Sequence, residues 1–192
     1  MSAEPRKPAI ERASVLANDR LAEGVGLLVL DAPTTAATVL PGQFVHLRIS
    51  RDADFILRRP FSVHRASGGR LEILYQVLGR GTRVLAGTER GAEMDLIGPL
   101  GTGWSVPEDA DHALIVAGGL GAAAMGMLVE SLAARGVATT VAVGAPNAER
   151  LLAGGAFRGT RAAVGGRNRR RVRGCSWTGD DPGRGVDRRR QA

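Results

Sequence analysis

The sequence predicts a small antiparallel β-barrel or sandwich, followed by an α/β unit with a parallel sheet and then by a tail without regular structure. Three observations support this prediction. Short β-rich runs alternate with turn residues between residues 11 and 98; a strand, a glycine turn, a helix and a second strand follow residue 103; and residues 159–192 contain no Leu, Ile, Phe or Met. These patterns are typical of an all-β fold, of a βαβ unit and of a segment that cannot form a core.

Six runs are predicted to be strands because turn residues bound each run and apolar residues alternate with polar ones. In the fifth run, Leu71, Ile73 and Tyr75 share one face, as a sheet with one packed side requires. A single short helix is predicted at residues 81–90, where the period changes. The predicted strands are Ala13–Ala17, Val25–Leu30, Phe44–Ile49, Phe61–Arg65, Leu71–Val77 and Glu93–Ile97.

The segment after residue 103 is predicted to be a βαβ unit. Ala113–Ala117 and Ala138–Val143 are continuous apolar runs, which is typical of strands buried on both faces of a parallel sheet. Gly118–Gly121 forms the turn, and Ala122–Arg135 is predicted to be the helix of a right-handed crossover. We therefore expect a barrel domain at residues 1–105, a truncated doubly wound α/β domain at residues 106–158 and a disordered tail at residues 159–192.

The net charge of +7 over 192 residues belongs to the tail. Residues 158–192 hold 11 Arg and three Asp, whereas residues 1–157 hold 15 basic and 16 acidic residues. A nucleic-acid-binding domain needs its positive charge on the folded surface, so no nucleic-acid partner is predicted, and Arg167–Arg173 is interpreted as a solvated run.

A single cysteine, Cys175, excludes an internal disulfide and any four-cysteine metal site. The longest apolar runs are short and interrupted by glycine, and no signal-like run follows the charged N-terminus. We expect a cytoplasmic protein that does not enter a membrane.

Arg59-Pro60-Phe61-Ser62, at the start of a predicted strand, combines groups that suit a nucleotide cofactor. A guanidinium can bind a pyrophosphate through two hydrogen bonds, proline fixes the backbone, and an aromatic ring offers a face to a flat ring system. Taken alone, the motif is more often an ordinary strand start that carries a surface arginine than a cofactor site.

Leu74-Tyr75-Gln76 follows, and Gly79-Arg80-Gly81-Thr82 then opens the short helix. The free N–H groups of a helix start favour an anion, and glycine lets a phosphate approach the backbone closely. By itself, such a turn is more often a helix cap than a phosphate site.

Together, the order and spacing of these motifs resemble the ferredoxin reductase type of flavoprotein. Asp95–Trp104 is similar to that family's barrel-closing motif, and Leu114–Gly121 to the first strand and turn of its nucleotide domain. Within the superfamily, residues 10–157 most resemble the electron-transfer subunit of NAD-dependent dihydroorotate dehydrogenase. The resemblance implies a six-stranded antiparallel barrel.

The resemblance also implies two cofactors, FAD and, more weakly, NAD. Arg59 would pair with the FAD phosphates, and Phe61 would lie against the isoalloxazine ring. Ser62 would form a hydrogen bond near the reactive nitrogen of the flavin. The implied FAD residues are Arg59, Pro60, Phe61, Ser62, Leu74, Tyr75 and Gln76, the last three through backbone contacts, with Gly81 and Thr82 at the pyrophosphate. The implied NAD residues are Gly118, Gly119 and Gly121.

The implied function is to pass electrons from dihydroorotate oxidation through FAD to NAD in the synthesis of the pyrimidine nucleotide UMP. Substrate oxidation would belong to a catalytic dihydroorotate dehydrogenase partner, in an expected heterotetramer, and no residue of this chain is predicted to be catalytic or to bind a metal. The three histidines, His46, His64 and His112, are interpreted as ordinary structural residues.

Two departures from the family pattern stand out. Ala124 occupies the position of a proline after the glycine turn, and four cysteines that would bind a [2Fe–2S] cluster are absent. The Arg- and Gly-rich tail suggests the hypothesis that the reading frame is lost between residues 157 and 167. The alternatives are another NAD(P)H-dependent flavin reductase, a basic-tailed binding module and a non-functional truncated product.

Overall fold

We analysed a computed structural model, which describes residues 7–50, 56–144, 162–168 and 171–172. Two sheets and three α-helices organise these residues. The first sheet contains β1 (Ala9–Ala22), β2 (Val25–Asp31), β3 (Phe44–Arg48), β4 (Arg59–Ser62), β5 (Arg65–Ser67), β6 (Arg70–Gln76) and β7 (Glu93–Leu100), with helices α1 (Pro33–Ala36) and α2 (Arg80–Ala86). The second contains β8 (His112–Gly118), β9 (Ala138–Gly144), β10 (Ala162–Asn168) and β11 (Arg171–Val172), with a 3₁₀ helix (Gly119–Met125) and α3 (Gly126–Ala134).

The first sheet is antiparallel and has seven strands in the order β4-β3-β7-β1-β2-β6-β5. Its two edge strands, β4 and β5, are consecutive in sequence and are joined by Val63 and His64. The Val63 N–H bonds to Gln43 beside β3, and the His64 N–H bonds to Glu72 of β6. The chain thus passes from one edge of the sheet to the other, so the sheet curls back on itself as the barrel prediction requires.

The strand count differs from the prediction by one for the same reason. The predicted strand Phe61–Arg65 is two strands in the structure, because the hydrogen-bonding partner changes at Val63 and His64. The other five predicted strands appear with shifted ends, and the predicted helix at 81–90 is α2, which ends earlier, at Gly87.

The barrel core consists of the inward residues of alternating strands, as the period of two predicts. Leu28, Leu71 and Leu96 are completely buried. The Tyr75 ring lies beneath Gly26, where an added Cβ would come within 2.5 Å of the Tyr75 hydroxyl oxygen. Glycine at position 26 therefore makes room for the ring.

The short helix α1 was not predicted from the sequence. Pro33 occupies its first turn, and the Glu11 carboxylate of β1 accepts the N–H groups of Thr34 and Thr35, both at 2.9 Å. The Thr35 hydroxyl donates to the same carboxylate at 2.6 Å. A side chain 23 residues earlier in sequence thus caps the helix, which no local pattern indicates.

The second sheet confirms the predicted strand–turn–helix–strand unit. β8 and β9 are parallel, with His112 opposite Ala138 and Gly118 opposite Gly144. Leu128, Val129 and Leu132 of α3 belong to one core cluster with residues of β8 and β9. The predicted helix begins as a 3₁₀ helix, which continues to Met125 before α3 starts at Gly126.

The structure differs from the predicted disordered tail at two places. β10 pairs parallel to β9, and β11 pairs antiparallel to β10, so both extend the sheet. Backbone hydrogen bonding to an existing strand does not require the large apolar side chains on which the disorder prediction depended. The remainder of residues 159–192, including Cys175, lies outside the described residues, and the domain boundaries remain predictions.

Candidate functional site

The structure brings the Arg59 motif and the start of α2 together. A Cβ atom added to Gly81 would lie 3.7 Å from Nε of Arg59 and 4.0 Å from its Cγ. The side chain of Arg59 therefore lies over Gly81, although 22 positions separate them in sequence. A guanidinium that lies beside a helix start is a pairing suited to a diphosphate.

The two neighbouring arginines of β4 and its preceding loop have different environments. Arg58 forms an ion pair with Asp95 at 3.0 Å and donates to the Asp95 carbonyl at 2.8 Å. Arg59 donates to the Leu57 carbonyl at 3.0 Å and forms no ion pair within the described part of the chain. Because Arg59 keeps an uncompensated charge, it is the arginine suited to an anionic ligand.

The Thr82 hydroxyl shapes the start of α2. Its oxygen accepts the N–H groups of Leu78 and Gly79, at 2.9 and 3.1 Å, and donates to the Gly79 carbonyl at 3.2 Å. The hydroxyl is thus used inside the turn. The part of this turn that is suited to a ligand is the set of first-turn N–H groups, which have no intrahelical carbonyl to bond.

β4 presents its motif on two faces. Arg59 and Phe61 are half-buried on one face, and Pro60 and Ser62 are exposed on the other. The Phe61 ring packs against the barrel core and meets the Tyr75 ring edge-on, with centroids 6.5 Å apart and planes at 81°. This contact fixes the orientation of the Phe61 ring beside Arg59.

The backbone of β6 offers polar groups at its outer edge. The Val77 N–H bonds to Gly24 beside β2, so alternate residues, including Tyr75, direct their backbone groups toward β2. The Glu72 carbonyl faces the opposite side and accepts the His64 N–H. Leu74 and Gln76 share the direction of Glu72, and the β5 pairing ends at Glu72. Their backbone groups therefore face away from β2, beyond the end of β5, and their contact with a cofactor stays a prediction.

Tyr75 does not share this arrangement. Its ring is 3% exposed, and its hydroxyl donates to Oδ1 of Asn18 at 2.8 Å. Burial raises the pKa of the Tyr75 phenol above its ordinary value, which keeps the hydroxyl a donor. The residue supports the site from the core, whereas the resemblance implied a backbone contact to the cofactor.

Asn18 is a supporting residue that the sequence interpretation missed. Its Nδ2 donates to the carbonyls of Leu85 and Thr88, at 2.8 and 3.0 Å, and so holds the end of α2 against β1. Its partners are 57 to 70 positions away. Only the tertiary fold could reveal this role.

Gly118, Gly119 and Gly121 form a second, separate candidate region at the carboxyl end of β8. A Cβ added at any of the three would meet nothing within 4 Å, and Gly119 has a φ of +52°. Open space at the carboxyl end of a parallel strand is where nucleotides bind in α/β sheets. Ala124 lies within the 3₁₀ helix that follows.

Two features are absent from the described residues. No helix among them is long and apolar enough to cross a bilayer. Within the same residues, no three His, Cys, Asp or Glu side chains converge in a way that could hold a metal ion.

Comparisons with known proteins concern the chain as a whole. No family model matches the chain. It is 38% identical over 147 residues to the dihydroorotate dehydrogenase B (NAD⁺) electron transfer subunit of Desulforamulus reducens, covering 76% of this chain and 56% of that relative. The subunit of the same name from Bacillus velezensis is 34% identical over 128 residues, covering 65% of this chain and 50% of the relative. The chain thus spans about half the length of the curated relatives it matches.

Structural comparison leads to a related group of proteins. A solved structure of an NADH-dependent reduced ferredoxin-NADP oxidoreductase, described in connection with flavin-based electron bifurcation, superposes with a TM-score of 0.69 at 23% identity. The superposition covers 80% of this chain and 56% of that one. The fold is therefore of the ferredoxin reductase type, and the matched part of the chain belongs to the family of the dihydroorotate dehydrogenase B electron transfer subunits.

Proposed function

We propose that this chain binds FAD in the groove between β4 and the start of α2 and passes electrons between FAD and NAD. The observation that carries the proposal is the position of Arg59 over Gly81, with no competing ion pair in the described part of the chain. Arg59 and the first-turn N–H groups of α2 would hold the diphosphate. Phe61 and the backbone groups of Leu74 and Gln76 would hold the ring and its chain, and Gly118, Gly119 and Gly121 would approach NAD.

FAD, when bound, accepts and releases electrons singly or as a hydride. The residues of this chain do the remaining work: they bind the diphosphate, orient the ring through the fixed Phe61 side chain and exclude water from one of its faces. No side chain in the groove needs to gain or lose a proton for this role.

The biological reaction in the proposal is that of the relatives' names. A catalytic dihydroorotate dehydrogenase subunit would oxidise dihydroorotate, and this chain would deliver the two electrons to NAD⁺ in pyrimidine biosynthesis, within a heterotetramer. The proposal includes no iron–sulfur step, because one cysteine in 192 residues cannot supply the thiolate ligands that such a cluster needs.

FAD titration of the full-length chain tests the proposal. Flavin fluorescence and absorbance should saturate for the parent chain, and Arg59→Ala should weaken the affinity by roughly 10- to 100-fold, the effect of losing charge-assisted hydrogen bonds. Arg83→Ala removes the same charge from an exposed position on α2 and should change the affinity less than twofold. A parent chain that FAD does not saturate would contradict the proposal and favour the non-functional product.

The ferredoxin reductase-type fold is also compatible with a second candidate, a flavin reductase driven by NADH or NADPH. The electron donor distinguishes the two functions. Bleaching of the flavin band by dihydroorotate in the presence of the catalytic partner supports the electron-transfer subunit. Bleaching by NADH alone, with none from dihydroorotate and partner, supports the reductase.

A further inference from the structure

The barrel and the α/β unit contact each other through the two-residue link between β4 and β5. His64 in this link is 5% exposed, and its Nδ1 lies 2.6 Å from the carbonyl oxygen of Ala123 in the 3₁₀ helix. A carbonyl oxygen only accepts, so Nδ1 carries the proton and donates it to this bond. A buried donor of the barrel thus has its partner in the other unit.

The packing around His64 leaves little room for a side chain at position 126 of the facing helix. A Cβ added to Gly126 would lie 3.0 Å from the His64 carbonyl oxygen and 3.2 Å from its ring atoms Cε1 and Nδ1. The φ of Gly126 is −54°, so its backbone conformation suits any residue, and the constraint is the close approach. Glycine at position 126 therefore allows α3 to approach the barrel.

Two more contacts surround this point. Met127 of α3 is half-buried against the barrel core, and Nε of Arg65 pairs with Oε1 of Glu130 at 2.7 Å. The ion pair is partly exposed and contributes little on its own. The buried hydrogen bond of His64 and the contact at Gly126 therefore fix the relative position of the two units, which we call their seating.

The bond lies close in sequence to both candidate regions. His64 follows Ser62 by two residues, and Ala123 follows Gly121 by two residues. We propose that His64 is a positioning residue. It fixes the glycine turn after β8 relative to Phe61 and Ser62 of β4, and thereby fixes the nicotinamide relative to the flavin. The functional half of this inference rests on the proposed function, whereas the seating of the two units does not.

The expected effect follows from the geometry that hydride transfer demands. In the half-reaction NADH + H⁺ + FAD → NAD⁺ + FADH₂, a hydride would pass from the nicotinamide to the flavin, and solvent would supply the one proton. A displacement of about 1 Å between reacting groups lowers such a rate by about 100-fold. Loosening the His64 bond should therefore slow the transfer while leaving FAD binding intact.

Four variants of the full-length chain test this inference. His64→Leu removes the donor, His64→Asn restores an N–H donor near the position of Nδ1, and Gly126→Ala inserts a methyl group into the contact. His112→Leu is the matched control, because it removes a histidine hydrogen bond, to Thr140, that lies within the α/β unit. Amide hydrogen exchange reports on the seating of the units, and the rate of flavin reduction at saturating NADH reports on positioning.

We expect faster exchange at residues 119–134 in His64→Leu and Gly126→Ala, unchanged exchange at residues 25–31, and near-parent exchange in His64→Asn and His112→Leu. Reduction of bound FAD should slow roughly 10- to 100-fold in the first two variants, with FAD affinity within twofold of the parent. Gly126→Ala separates this effect from poor folding, since alanine favours the helix more than glycine does.

Parent-like exchange in both His64→Leu and Gly126→Ala would overturn the seating role, and parent-like reduction rates despite faster exchange would overturn the positioning role. If His64→Asn exchanged as fast as His64→Leu, the hydrogen bond would not be the cause. A parent chain without FAD would remove the proposed function instead, and the exchange data alone would then decide whether His64 seats the two units.

Discussion

The barrel and the α/β unit bury their sheets to different extents. Among the residues that the structure describes, the barrel core cluster contains 16 buried residues, whereas the cluster of the α/β unit contains eight. Val63 and His64 join the barrel edges, but β8 lies at an edge of the second sheet as described, with Leu114 and Val116 exposed by 65% and 74% on the face away from α3. Parallel sheets are ordinarily covered on both faces.

This difference assigns separate roles to the two units. The barrel carries the candidate site at Arg59 and Gly81, and its own hydrophobic core supports that site. The described part of the α/β unit has one packed face and meets the barrel at His64 and Gly126. We therefore expect the barrel to fold and bind its ligand without depending on the α/β core, and the α/β unit to depend on the barrel.

The largest expected effect comes from equivalent core truncations in the two units. Leu96→Ala in the barrel and Leu132→Ala in α3 each remove a buried leucine and should each cost about 2–5 kcal/mol. Leu96→Ala should destabilise both units and lower FAD affinity. Leu132→Ala should raise hydrogen exchange at residues 112–144 and leave the barrel protected. Joint loss of protection in both variants would show that the units fold as one.

Substitution of Asn18 measures how strongly the barrel core supports helix α2. Asn18→Ala removes the acceptor of the Tyr75 hydroxyl and the donor to two carbonyls at the end of α2, and we expect a loss of about 1–3 kcal/mol. Exchange at residues 80–86 should rise in parallel. The exposed neighbour Asp19, changed to alanine, provides the control. Equal stability of the two variants in urea would contradict the support role.

Glu11 gives the barrel a pH dependence. Burial raises its pKa, but the hydrogen bonds from Thr35 and Thr34 outweigh this, so the pKa lies below its ordinary value of 4.5. A lowered folded-state pKa stabilises the fold above the unfolded-state pKa, and this contribution disappears as the pH falls through the folded-state pKa.

Glu11→Gln should therefore cost about 1 kcal/mol at neutral pH, as the loss of a helix cap does, and progressively less in acid. Urea unfolding at several pH values measures this, with the exposed Glu89→Gln as the reference. A loss of unfolding free energy in Glu11→Gln that stays constant across the acid range would contradict the lowered pKa of Glu11.

The smallest effect is expected on the open face of the α/β sheet. Leu114→Thr with Val116→Thr should change the free energy of unfolding by less than about 0.5 kcal/mol, because both side chains are exposed. The same pair should reduce binding of a hydrophobic dye. A loss of stability above 1 kcal/mol would show that this face is packed in solution, and would remove the contrast between the two units.

The elements with a clear sequence period were predictable, and those that depend on distant partners were not. Alternation located the barrel strands, and the apolar runs located β8 and β9. The division between β4 and β5 carries no Gly or Pro, because it results from a change of partner strand at Val63 and His64. Helix α1 was missed because its cap, Glu11, lies on another strand.

The same limit applies to the site. The motifs around Arg59 and Gly81 were recognisable because each is a local run of residues, and the structure shows that they meet. The supporting residues Asn18, Tyr75 and His64 act through partners more than 50 positions away. His64 was interpreted as an ordinary structural histidine, and nothing in the sequence around it indicates Ala123 as its partner.

The close approach of Gly26 to the Tyr75 hydroxyl gives one strand position an influence beyond its own neighbourhood. A methyl group at position 26 would displace the phenol, and the phenol is the hydrogen-bond donor to Asn18. Asn18 in turn holds the last turn of α2, whose first turn faces Arg59. Substitution at Gly26 is thus coupled through two side chains, Tyr75 and Asn18, to the helix whose start lies beside Arg59, although position 26 is on a different element.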